Sequence, residues 1–125
     1  MALDSCVVYV SYASGGAAAA AEAFTLCNLA ANRRMAATAN NGKPDGVFYE
    51  PATAAGDKVA VADWRRSQSL RVAAAGAITD GHFVRANAAG KIVSDGLAGT
   101  ANSIGKCIGG ASNGTIAQIL TIERY

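Results

Sequence analysis

The feature that most constrains the fold of this 125-residue chain is an internal repeat with a period of 58 or 59 residues. In both halves of the chain a glycine begins a short strand, and further on a turn of small residues precedes a strand with alternating side chains. Three pairs of identical residues carry the repeat, in the same order along both halves: Phe24 with Phe83, Gly46 with Gly105, and Gly56 with Gly114. The pattern predicts two similar units in tandem.

Short alternating segments predict that both units consist of β-strands. Residues 82–86 and 92–94 flank a turn at 87–91, where glycine supplies the positive φ that a tight hairpin needs. A further strand is expected within residues 115–123, because apolar side chains there alternate between two faces. The sequence therefore predicts a mainly all-β chain in which two pseudo-repeats form a sandwich or barrel-like domain, with an N-terminal strand or arm.

The same patterns predict a division of the chain into four parts. These are an N-terminal strand with an Ala- and Gly-rich arm (1–20), a first repeat (21–62), a linker and strand (63–76), and a second repeat (77–125). Residues 17–32 stay open between two structures. Their alanine and leucine content favours a helix, whereas their alignment with the segment around Phe83 favours a strand.

The composition limits how much core this chain can build. It has 14 Gly and abundant alanine, but only three Phe, one Trp and four Tyr. Small side chains contribute little buried volume, so we expect association with other copies or with a larger surface to add stability. Charged residues make up 16%, below the usual quarter or so. That suits a surface covered by neighbours, and it equally suits a merely alanine-rich composition.

Charge and hydropathy argue against several classes of partner. Eleven basic and nine acidic residues nearly balance, whereas a general nucleic-acid binder carries a strongly basic face. No stretch approaches the roughly 18 apolar residues that span a bilayer, and the N-terminus does not resemble a signal peptide. We therefore expect no nucleic acid, no membrane and no export.

The chain offers no recognisable catalytic or metal-binding constellation. Its one histidine, His82, lies in a predicted strand and fits an ordinary half-exposed residue. Four aspartates lie beside glycines, where this residue supports turns: Asp45, Asp57, Asp80 and Asp95. We expect no enzyme activity, no cofactor and no metal. An enzyme that uses scattered carboxylates is the less favoured alternative.

Three cysteines stand far apart in the sequence, at Cys6, Cys27 and Cys107. Their odd number and wide spacing indicate neither a disulfide framework nor a zinc site. We expect them to be buried as small apolar residues.

Two segments are candidate interfaces, and the first is the N-terminal strand. Val8, Val10 and Tyr12 share one of its faces, and the opposite face is also apolar or aromatic. A strand of this kind is expected to be covered on both sides or to pair with another chain.

The second candidate is the cluster Trp64, Arg65 and Arg66. Trp and Arg are enriched among the residues that dominate binding energy in protein interfaces. Three interpretations stay open: a protein interface, a linker whose Trp64 fills a small core, or a contact with nucleic acid.

Three stretches carry a resemblance to a known family: ATAAGDKVAV at 52–61, ANAAGKIV at 86–93, and IGKCIGGASNGT at 104–115 before the last strand. The tandem pattern resembles the bacteriophage capsid decoration (cement) proteins over residues 21–122. The resemblance implies a viral structural protein, made in the host cytoplasm, that joins the virion on the capsid surface. It would bind there as a homo-oligomer, commonly a trimer, and stabilise contacts between major capsid proteins.

Two alternatives stay open beside this interpretation. Another phage virion component, such as a tail or fibre-base protein, would share the same sequence features. A biotinyl or lipoyl carrier domain is less favoured, since it needs a modified lysine at a hairpin tip and only Lys91 stands at such a position.

Overall fold

A computed structural model describes residues 7–14, 23–29, 34–49 and 58–121. None of these residues lies in a helix, so the predicted mainly all-β class is confirmed, and the described part has no helix able to cross a membrane. The ten strands are β1 (Val7–Ser14), β2 (Leu26–Leu29), β3 (Arg34–Ala37), β4 (Gly46–Phe48), β5 (Lys58–Asp63), β6 (Ser69–Ala73), β7 (Phe83–Ala86), β8 (Ile92–Ser94), β9 (Gly105–Ile108) and β10 (Ile116–Thr121).

The first five strands form a sheet whose pairings close into a ring. Their order is β1-β3-β2-β4-β5, and β5 pairs back onto β1. Every contact is antiparallel except the one between β1 and β3, which joins only Ala13 to Arg34 and Ser14 to Met35. This first sheet is therefore a small barrel-like unit with a short parallel seam.

The last five strands form a second sheet in the order β6-β10-β9-β7-β8, and all of its pairings are antiparallel. A single parallel bridge between Ala74 and Ile92 links the end of β6 to β8. Adding five to each strand number of the first sheet gives β6-β8-β7-β9-β10, which is the order of the second sheet when the bridge joins β8 to β6 and the sheet is followed from β6 through β8. The short parallel contact recurs at the corresponding place as well.

Two glycines occupy matching positions in the sheets. Gly46 opens β4 and Gly105 opens β9. A Cβ atom at Gly46 would lie 2.6 Å from the carbonyl oxygen of Ala62, and one at Gly105 would lie 2.7 Å from that of Leu120. In both sheets a strand starts at a residue where the neighbouring backbone leaves no room for a side chain.

The hairpin predicted between β7 and β8 is present. The side chain of Asn87 accepts hydrogen bonds from the backbone N–H groups of Ala89 (2.9 Å) and Lys91 (3.0 Å). Gly90 has a φ of +74°, in the left-handed region that glycine adopts easily. The turn therefore fixes the pairing of Ala86 with Ile92.

Both sheets contribute to one hydrophobic core. Leu26, Val47 and Trp64 from the first half pack in the same cluster as Leu70 and Ile92 from the second. Backbone hydrogen bonds cross between the halves as well, from Leu26 N to the Gly90 carbonyl and from Ala73 N to the carbonyl of Phe24 (2.6 and 2.7 Å). The halves are thus held together by packing and by main-chain hydrogen bonds.

The structure places some of the predicted segments and leaves others open. Residues 7–14 of the expected arm form β1, which pairs with β5. Within residues 17–32, the part from Leu26 to Leu29 is strand β2, and residues 17–22 and 30–32 lie outside the described residues. The division of the chain at residues 20, 62 and 76 stays a prediction.

Candidate interaction surface

Among the described residues, the side chains considered for chemistry include His82, Cys27 and Cys107. No three or more His, Cys, Asp or Glu side chains within the described ranges are grouped to hold a metal ion. His82 is half-buried beside β7, with its Nδ1 3.3 Å from the hydroxyl of Ser94. Cys27 and Cys107 are buried free thiols, and burial raises the pKa of both. They therefore stay protonated and pack as small apolar residues.

Aspartates beside glycines connect distant segments of the chain. Asp45 Oδ2 accepts a hydrogen bond from the backbone N–H of Leu29 at 2.8 Å, across 16 residues of sequence. Asp80 Oδ1 accepts one from Gly109 at 2.7 Å, across 29 residues. The sequence predicted only that these carboxylates support their own turns. In the structure they also bind the backbone of distant segments. Asp57 lies outside the described residues.

Asp95 organises the loop between β8 and β9. Its Oδ2 accepts hydrogen bonds from the hydroxyls of Thr100 and Ser103, both at 2.6 Å, and its Oδ1 lies 3.6 Å from Arg85 Nε. Burial disfavours the charged carboxylate, but these hydrogen bonds and the Arg85 charge outweigh burial and lower the pKa of Asp95. Asp95 is therefore a structural carboxylate.

Trp64 lies in the shared core, where only 1% of it is exposed. Its backbone N–H donates to the carbonyl of Asp45 at 3.0 Å, while its indole Nε1 is buried and has no hydrogen-bond partner within the described ranges. The expected interface role of Trp64 is therefore corrected, because a buried indole offers no contact area to a partner. The interpretation that fits is the linker whose Trp fills the core.

Arg65 and Arg66 follow Trp64 in a turn and are exposed. Asp63 Oδ1 accepts hydrogen bonds from both of their backbone N–H groups, at 2.9 and 3.2 Å. The two arginines line an open groove of about 510 Å³ together with Gln68 and Leu120. The arginine pair predicted from sequence therefore lies next to β10, and its contact with a partner stays a prediction.

An exposed apolar surface covers the outer side of β9 and β10. Ile116 and Leu120 of β10 are 44% and 43% exposed, and Ile108 of β9 is 40% exposed. Gln118 lies between them, because it pairs directly with Ile108 and is two residues from each of the others. We call these four residues the β9–β10 face.

Basic side chains surround this face. Arg71 pairs with Gln118 from the β6 side, and Lys106 pairs with Leu120 from the β9 side. Both are exposed and lie against aromatic rings: the Arg71 guanidinium is 5.1 Å from the centre of the Phe24 ring, and Lys106 Nζ is 5.4 Å from that of Phe83. Together with Arg65 and Arg66 they form what we call the basic rim.

The centre of the face holds a buried polar group without a partner. Gln118 Nε2 is shielded from solvent and has no hydrogen-bond acceptor among the residues that the structure describes. Leaving such a donor unpaired costs about 1–3 kcal/mol.

The N-terminal strand has one side that is largely unpaired by other described strands. β5 pairs with one side of β1 from Val7 to Ala13, whereas β3 reaches the other side only at Ala13 and Ser14. The side chains of Val8, Val10 and Tyr12 lie outside what the structure describes. Their role in an interface stays a prediction.

The sequence pointed to only part of this surface. The alternation within 115–123 predicted that Ile116, Gln118 and Leu120 share one side of a strand. It could not reveal that this side faces outward, since the opposite side, with Ala117 and Ile119, is also apolar. The burial of Ala117 and Ile119 in the core decides the orientation.

Comparisons with known proteins place the fold. No family model matches the chain, and no curated protein matches it either. Among solved structures, the chain is similar to the crystal structure of the "head fiber gp8.5 N base in bacteriophage phi29". The TM-score is 0.71 at 17% sequence identity, and the match covers 94% of each chain. The two proteins share a fold.

Proposed function

We propose that this chain is a structural protein of a bacteriophage head that serves as the base of a fibre or other projection. The observation that carries the proposal is the fold similarity to a head-fibre base, which extends over 94% of both chains. Because the likeness extends over nearly the full length of both proteins, it supports the proposal that this chain as a whole corresponds to the base module.

The role we propose is mechanical. The described residues lack a metal cluster, their thiols are buried, and their aspartates at Asp45, Asp80 and Asp95 are held in hydrogen bonds. An exposed apolar face with a basic rim suits protein binding better than chemistry. The partners we propose are the major capsid protein and other copies of this chain, most simply as a trimer.

A decoration (cement) protein is the second candidate, favoured by the tandem motifs at 52–61, 86–93 and 104–115. Both candidates bind the outside of the head, but they differ in what they support. A cement protein strengthens the shell, whereas a fibre base carries a projection.

The test is to delete the gene for this chain from the phage that encodes it and to image the heads by cryo-electron microscopy. A fibre base predicts heads that lose a projection yet keep their resistance to heat and osmotic shock. A cement protein predicts heads that lose density on the shell and become fragile. Wild-type heads that lack the chain altogether would refute both candidates.

A further inference from the structure

Strand pairing identifies equivalent positions in the two sheets. Gly46 and Gly105 set the register, because each pairs with the last residue of the neighbouring strand, β5 or β10. The residue before that last position is Ala62 in the first sheet and Leu120 in the second. Ala62 and Leu120 therefore occupy the same place in the two sheets and lie on the same face.

The equivalent faces are covered differently. In the first sheet Ala62 and its cross-strand neighbour Val47 belong to the shared core. In the second sheet the corresponding residues, Leu120 and Lys106, are exposed. The face that the first sheet packs against the rest of the protein is thus the face that the second sheet presents to solvent.

The open face also differs in charge from its buried counterpart. Lys106 stands where the first sheet has Val47, and Arg65, Arg66 and Arg71 add positive charge around Leu120 and Gln118. Two carboxylates nearby, Asp63 in the arginine turn and Asp80 beside the residue after β9, offset part of this charge, so four basic side chains stand against two acidic ones. A surface with an apolar centre and a basic rim is complementary to an apolar surface surrounded by carboxylates.

We propose that the β9–β10 face is the surface through which this chain docks onto an acidic protein surface of the phage head. This inference rests on the proposed function and names the partner's chemistry. The partner supplies aliphatic contact to Ile108, Ile116 and Leu120, and carboxylates opposite the basic rim. A second copy docking through the same face would bring like charges together, which opposes that arrangement.

Co-sedimentation with heads that lack this chain tests the inference. The double variant Ile116→Gln/Leu120→Gln removes the apolar centre, and Lys106→Glu reverses one charge of the rim. The matched control is Leu97→Gln, which changes a residue that is 72% exposed and lies outside the face. All changed residues are exposed, so thermal unfolding should show that each variant keeps the wild-type fold.

We expect the double variant and Lys106→Glu each to weaken head binding by about tenfold or more, and Leu97→Gln to change it by less than about twofold. Raising the salt from about 0.05 M to about 0.5 M should weaken wild-type binding more than that of Lys106→Glu.

Other outcomes refute specific parts of the proposal. Wild-type binding that both face variants retain overturns the docking face and leaves the proposed function standing. Variants that abolish self-association by light scattering but keep head binding identify a second copy as the occupant, and they also overturn the inference. A wild-type chain that does not bind heads overturns the proposed function together with this inference.

Discussion

In the first sheet residues 60–62 of β5 are buried on both faces, whereas the counterpart strand β10 in the second sheet is buried on one. Ala60, Val61 and Ala62 are all buried in β5, but in β10 burial alternates with exposure. Small alanines let the first sheet approach the rest of the protein closely, and larger side chains fill the same positions where the second sheet is open. The two sheets thus share one strand arrangement, but the face that is buried in the first is exposed in the second. Side-chain size and charge account for the difference.

Trp64→Ala should have the largest effect on stability, because Trp64 packs in the core that the two sheets share. We expect the free energy of unfolding to fall by about 3–5 kcal/mol, as is usual for a large aromatic residue removed from a core. Denaturation in urea measures this change. Leu97→Ala is the control and should change stability by no more than about 0.5 kcal/mol. A loss below about 1 kcal/mol for Trp64→Ala would contradict the shared core.

Gly46→Ala and Gly105→Ala test whether the two sheets impose the same backbone constraint. Each new Cβ would lie within 2.7 Å of a carbonyl oxygen on the neighbouring strand, so the strands must separate. We expect a loss of up to about 3 kcal/mol for each variant. Gly76→Ala is the control, since no atom lies within 4 Å of its Cβ position. Unequal effects at Gly46 and Gly105 would show that the sheets tolerate distortion differently.

Ala62→Gln and Leu120→Gln compare the equivalent faces directly. A glutamine at Ala62 overfills a buried site and brings a polar group into the core, so we expect a loss of about 2 kcal/mol. Leu120→Gln changes an exposed residue and should stay within about 0.5 kcal/mol. Equal losses in urea denaturation would mean that the face around Leu120 is covered in solution.

Asp95→Asn should destabilise the protein less than the changes at Trp64, the two glycines and Ala62, by about 1 kcal/mol at neutral pH, because the loop keeps part of its hydrogen bonding. The folded state lowers the pKa of Asp95, so its contribution is present above the unfolded-state pKa of about 3.9. That contribution is lost as the pH falls through the lower folded-state pKa. Urea denaturation between pH 7 and pH 3 should therefore bring wild type and variant closer together, and a constant difference would contradict this role.

Much of the fold could be predicted because short patterns of neighbouring residues determine its strands and turns. Alternating side chains mark β10, and an Asn and a Gly mark the turn between β7 and β8. Gly46 and Gly105, paired by their spacing, open equivalent strands. The strand and turn patterns depend on neighbours within a few residues, and the pairing of the two glycines follows from a constant spacing, so a sequence displays both directly.

The candidate site was harder to predict because it depends on contacts between distant residues. Trp64 and Arg65 are adjacent in sequence, yet one fills the core and the other lines a groove. The exposure of Ile116 follows from the packing of Ala117 against residues far along the chain. Neither outcome is encoded in local periodicity, so a single sequence could not separate core from surface.

Strand pairing that stays within each half has a consequence for synthesis on the ribosome. The pairings of β1 to β5 involve residues 7–63 alone, so the first sheet can form before β6 emerges. Until the second half arrives, Leu26, Val47 and Ala62 lack the residues that cover them in the finished protein. A nascent chain would therefore expose an aggregation-prone apolar surface for seconds, until the C-terminal half is synthesised and buries it.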